Sequence, residues 1–145
     1  MRKIIAIDPG HKKCGVVLAD LEDLLVIEAK IVKKDYVIEL IHSWYELYII
    51  EILILGDGTT SNYWKDQLTL NNISPVNLVD ETNTTLRARK RYLEMNPQRF
   101  FLQSFLTTLL LPPKSLDSVV ALILIEDYLE KKLDFLITFD FKTWP

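Results

Sequence analysis

An apolar run that ends in a single carboxylate constrains this chain more than any other feature. Ile4-Ile5-Ala6-Ile7 leads into Asp8, a Pro9-Gly10 turn follows, and a second apolar run, Cys14-Gly15-Val16-Val17-Leu18-Ala19, returns. An unbroken apolar run of strand length predicts a strand buried on both faces. A carboxylate at the end of such a strand is costly unless something compensates its charge. Two readings of Asp8 are balanced on local grounds: a turn-initiating aspartate whose oxygens satisfy turn amides, or a metal ligand.

The rest of the chain alternates in period. Leu24–Val32 reads as a third strand, giving a three-stranded meander. Asp35 reads as a helix cap, and Val37, Leu40, Ile41, Trp44 and Leu47 recur at helical spacing. Ile49–Leu55 is a further strand, stopped by Gly56-Asp57-Gly58. A helix over 61–70, a short strand over 75–79 ending at Asp80-Glu81, and a helix from Asn83 or Thr84 to Met95 follow. Phe101, Leu102, Phe105, Leu106 and Leu109 form another helical stripe. Ser115 reads as the cap of a very apolar last helix running to about Lys132. The tail over 135–139 reads equally as a strand or a packed aromatic arm.

A meander followed by alternating helices and strands predicts a mixed sheet carrying helices. If the first, fourth and fifth strands are parallel neighbours, their C-terminal ends share one edge, where open α/β sheets place their sites. Those ends carry Asp8, Asp57 and Asp80-Glu81. Adjacent residues on extended chain point to opposite sides, so only one of Asp80 and Glu81 faces a given site. Asp117, in the first turn of the last helix, is the fourth acid. Alone it reads as a residue favoured by the helix dipole, but the apolar helix behind it packs deeply and holds it against protein. Glu126, Asp127 and Glu130 on the same helix read as solvated.

Charge is unevenly spread. The net charge is −3, yet residues 82–116 hold six cations and one anion, which leaves 11 cations and 19 anions elsewhere. Arg87, Lys90 and Arg91 share one helical face, where like charges repel unless something anionic lies over them. That face reads as a phosphate contact or as a plain solvated surface. One cysteine, Cys14, and two histidines, His11 and His42, exclude an internal disulfide and a zinc cluster. No apolar stretch is long enough to span a bilayer and no secretory leader is visible, so the expectation is a soluble protein of a reducing, cytoplasmic compartment.

The motif Ile7-Asp8-Pro9-Gly10-His11-Lys12-Lys13-Cys14-Gly15-Val16 resembles the first motif of the RNase H-like nucleases. It is most similar to that of the YqgF-type family of Holliday junction resolvases and pre-rRNA nucleases. Asp80-Glu81-Thr82-Asn83-Thr84-Thr85 resembles the second acidic motif of that family, and Leu116-Asp117-Ser118 with the apolar helix behind it resembles the third. The sequence departs from the pattern at Thr82, where arginine is frequent, and at Gly56-Asp57-Gly58, where Gly-Leu-Pro is frequent. Related junction resolvases carry an acid at that strand end, so Asp57 could share or replace the role of Glu81.

The resemblance implies an α/β, RNase H-like fold with a central mixed five-stranded sheet and helices on both faces. It implies a nuclease domain over 1–133 with a tail over 134–145. The catalytic carboxylates would be Asp8, Glu81 and Asp117. These, with Asp57, would hold Mg²⁺ or Mn²⁺, while Lys12, Lys13, Arg87, Lys90 and Arg91 would contact nucleic acid. The expected activity is metal-dependent cleavage of structured nucleic acid, RNA such as pre-rRNA first. A four-way DNA junction and a catalytically degenerate binding domain are the alternatives. A nucleotide-binding ATPase ranks last, because no Gly-rich lysine loop is present.

Overall fold

The computed structural model describes residues 1–73, 75–95, 115–137, 139 and 141–145. The predicted stripe over 101–109, with Arg99 and Lys114, lies outside them. β1 (Arg2–Asp8), β2 (Lys13–Asp20) and β3 (Leu25–Lys33) form the expected antiparallel meander. A 3-10 turn (Lys34–Tyr36) leads into α1 (Val37–Leu47), then β4 (Ile49–Gly56), α2 (Ser61–Leu70), β5 (Asn77–Val79) and α3 (Thr84–Met95). α4 (Asp117–Leu129), β6 (Asp134–Phe135) and β7 (Thr143–Trp144) complete the described chain.

The sheet runs β5-β4-β1-β2-β3-β6, and β7 also pairs with β3. β4 lies parallel to β1, and β5 parallel to β4. The first, fourth and fifth strands are therefore parallel neighbours, and their carboxyl ends meet at one edge. The sheet is mixed with helices on both faces, as expected, but it has seven strands instead of five. The two extra strands are the tail: β6 pairs with Leu25 and Val26, and β7 with Ile31 and Val32. Each spans two residues, too few to carry a readable period of two.

Strand alternation divides the core into two layers. Ile4, Ala6, Val17, Ala19 and Ile54 pack under α4 and Ala88 of α3. Ile5, Ile7, Val16, Leu18, Leu53 and Leu55 pack against α1 and against Trp64 and Leu68 of α2. α4 lies across β1 and β2 and is buried from Ser118 to Ile125. By the same parity Asp8, two residues beyond Ala6, faces the α4 layer. Both predicted caps are corrected. The 3-10 turn displaces Asp35, so Tyr36 begins α1, and Leu116 instead of Ser115 begins α4. Neither helix has a side-chain cap bond. Among the described residues no helix is long and apolar enough to cross a membrane.

Candidate functional site

Gly15 brings the first and last motifs together. It pairs directly with Asp8 across the β1–β2 ladder and shares the α4 face with Val17 and Ala19. A Cβ at Gly15 would fall onto the backbone carbonyl of Asp117, so only glycine lets the first turn of α4 rest on the sheet. The close approach sets Asp117 beside Asp8.

Gly56 and Gly58 do the same for the middle motif. A Cβ at either position would collide with the carboxylate of Glu81. The glycines flanking Asp57 therefore make room for Glu81. Asp57 itself is exposed and turned toward backbone: its Oδ1 accepts the Glu81 N–H at 3.0 Å, and its own N–H donates to the Val79 carbonyl at 2.9 Å. It fixes where Glu81 stands and does not line the cleft. Asp80 points the other way, its Oδ1 accepting from the Thr82 N–H at 2.9 Å and the Thr82 hydroxyl at 2.6 Å. Those bonds hold the Asp80 carboxylate below its ordinary range. Of the adjacent acids, Glu81 is the one that faces inward.

Asp8, Glu81 and Asp117 line one cleft of about 380 Å³, together with Lys13, Thr84, Thr85, Arg89 and Ser115. The acids are poorly compensated. Withdrawal from water, followed by the charges of Glu81 and Asp117, pushes Asp8 up to about 9. Withdrawal from water also raises Glu81, with Asp57 and Asp80 adding to the effect, although its hydrogen bond with Asp8 acts the other way. Glu81 Oε1 is buried and has no donor when both groups are ionised. Without a cation, the pair relieves its repulsion by keeping a proton on Asp8 that Glu81 accepts.

This donor set fits a hard divalent cation. It is all carboxylate oxygen, one oxygen is orphaned in a buried position, and the charge is in excess. Among the described residues no three acidic, imidazole or thiolate side chains close around a common ion as they stand. Ligation by Asp8, Glu81 and Asp117 together therefore requires their side chains to draw in.

The cations fall into two groups. Arg87 makes a two-pronged pair with Asp127, one prong at 2.7 Å. Arg91 donates to Glu126 at 2.8 Å and to the Leu133 carbonyl at 2.9 Å. The anion covering that face of α3 thus includes the chain's own α4, and Glu126 and Asp127 are ion-paired where the sequence suggested solvated acids. Lys90 is exposed at the same face. Lys13 and Arg89 line the cleft, Lys12 is exposed beside it, and none of these three makes an ion pair among the described residues. Arg89 was missed by the sequence reading, although Thr85 and Arg89 at i, i+4 spacing mark the cleft-facing stripe of α3. Ser115 was read as a cap, yet its buried hydroxyl has no partner among the described residues.

No protein-family profile matches the chain, and no curated protein does. Among solved structures, the chain is similar to T. thermophilus RuvC in complex with Holliday junction substrate. The identity is 13%, over 88% of this chain and 95% of that one, with a TM-score of 0.48.

Proposed function

We propose that this protein is a metal-dependent phosphodiesterase of the RNase H-like, YqgF-type kind that cuts structured nucleic acid, with Asp8, Glu81 and Asp117 as its catalytic carboxylates. The observation that carries the reading is the convergence of these acids, from two strand ends and one helix start, on a single cleft where their charge is left uncompensated. Mg²⁺ or Mn²⁺ held there would supply the charge neutralisation and water activation that phosphodiester hydrolysis needs. Asp8 and Glu81 would ligate once the shared proton leaves, and Asp117 would close the site from the α4 side. Asp57 would hold Glu81 in place through its backbone N–H. Lys13 and Arg89, on the cleft wall, would orient the phosphate. Lys12 and Lys90 would take neighbouring phosphates, whereas Arg87 and Arg91 could do so only by giving up Asp127 and Glu126.

RNA is the favoured substrate because the three acidic motifs resemble the YqgF-type pattern, and a four-way DNA junction is the second. The test is cleavage of a structured RNA and of a four-way junction with Mg²⁺ or Mn²⁺. Cutting of at least one, stopped by EDTA, is the expected result. Binding without cutting across both metals would leave a binding domain, and neither binding nor cutting would end the reading.

A further inference from the structure

A second basic surface begins at the cleft and leads away from α3. Lys13 lines the cleft and pairs in register with Lys33 across the β2–β3 ladder. One residue further out the two chains stay joined, the Lys34 N–H donating to the Lys12 carbonyl at 2.8 Å. Backbone pairing thus places Lys12, Lys13, Lys33 and Lys34 side by side at one end of the β2–β3 hairpin. Lys12, Lys33 and Lys34 are exposed. None of the four makes an ion pair among the described residues. Asp35, next in the chain, is exposed and pairs with none of them.

Four like charges held together by backbone repel, and this fold leaves them uncompensated while it neutralises Arg87 and Arg91 internally. The Lys34 ammonium lies 4.5 Å from the centre of the Tyr63 ring, an attraction that restrains a long side chain before any ligand arrives. The Tyr63 edge packs on Trp64, whose indole N–H donates to the Gly10 carbonyl at 3.0 Å. The Lys34 position is in this way tied to the Asp8–Lys13 turn.

We propose that this lysine platform is the principal phosphate track of the protein. A nucleic-acid strand with one phosphate in the acidic cleft would continue over Lys13 and Lys33 to Lys12 and Lys34, and the Arg87–Arg91 face of α3 would serve as an internal clamp on α4. The inference rests on the nuclease reading above, and it names the surface that reading's substrate occupies. The contacts are to backbone charge, so they are independent of base sequence and sensitive to salt.

The experiment compares the wild type with a Lys12→Gln, Lys33→Gln, Lys34→Gln triple variant and with Arg87→Gln. Binding of short single-stranded RNA and of a four-way DNA junction is measured across salt concentrations in EDTA, where nothing is cut. The three lysines contribute only backbone atoms to the hairpin bonds above, so the triple variant keeps its melting temperature. The slope of log affinity against log salt should fall by about 0.7–0.9 for each phosphate that the variant no longer neutralises, with Arg87→Gln leaving it unchanged. A wild-type slope in the triple variant, or a fall confined to Arg87→Gln, overturns the platform while leaving the nuclease reading intact if cleavage persists. A wild type that neither binds nor cuts either nucleic acid overturns both.

Discussion

Asp8→Asn should raise the melting temperature of the metal-free protein at pH 8 and abolish its response to Mg²⁺ or Mn²⁺. The folded chain holds the Asp8 proton up to about 9, whereas an unfolded aspartate releases it at about 3.9. A group raised in this direction stabilises the fold fully below the unfolded value. That contribution is lost as pH climbs toward 9, because the native state binds more protons than the unfolded state in between. The metal-free wild type should therefore lose stability from about pH 4 to about pH 9, and Glu81, shifted the same way, steepens the loss. Asparagine removes the like charge without emptying the space. Each kcal/mol recovered is worth about 2–4 °C in a chain of this length. A divalent cation binds the folded wild type and opposes the loss, and the variant lacks that gain. Thermal melts across pH, with and without Mn²⁺, measure all of this. An Asp8→Asn protein with the wild-type pH profile and an intact metal shift would remove Asp8 from the site.

Glu81→Gln should lower the cleavage rate by about 100-fold or more, the scale on which one electrostatic group in an active site acts, with nucleic-acid binding kept. Asp57→Asn is the informative comparison. Asparagine retains an oxygen that can accept the Glu81 N–H, so the bond is weakened from a charged acceptor to a neutral one. Such bonds contribute about 1.5–3 kcal/mol when charged and about 1 when neutral, and the expected loss is about tenfold or less. Single-turnover rates at saturating Mn²⁺ distinguish the two. A worse loss in Asp57→Asn would make Asp57 the ligand at this strand end and Glu81 its neighbour.

Much of this site was legible in residue order because local rules place it. Strand period alone carries Asp8 to the face of Ile4 and Ala6, and it separates Asp80 from Glu81. The first-turn position of Asp117 followed from the apolar run behind it. What was not legible depends on partners distant in sequence. The part played by Asp57 appears only when β4 and β5 pair and set its carboxylate opposite the Glu81 N–H. Arg87 and Arg91 read as a surface in search of an anion, because Asp127 and Glu126 lie 40 and 35 residues away. The lysine platform was half visible as Lys12 and Lys13. Its other half needs the β2–β3 register that brings Lys33 and Lys34 alongside.

The glycines show the same division. Gly10 sits in a turn that Pro-Gly announces. Gly15 and Gly56 lie inside strands, where glycine weakens the ladder, and their cause is a close approach from another element. The α4 backbone needs the first and the Glu81 side chain needs the second. A glycine within an apolar strand is the signal to be read there, since it marks where something other than a side chain fills the space.

The most direct measurement is anomalous diffraction from crystals of the wild-type protein soaked in Mn²⁺. The account predicts at least one manganese peak within ligand distance of carboxylate oxygens of Asp8 and Glu81, about 2.0–2.6 Å for hard-cation sites, with Asp117 drawn toward it. Crystals that show manganese elsewhere at saturating concentration, or none, with Asp8 and Glu81 still sharing a proton, would contradict the claim that these carboxylates form a metal centre.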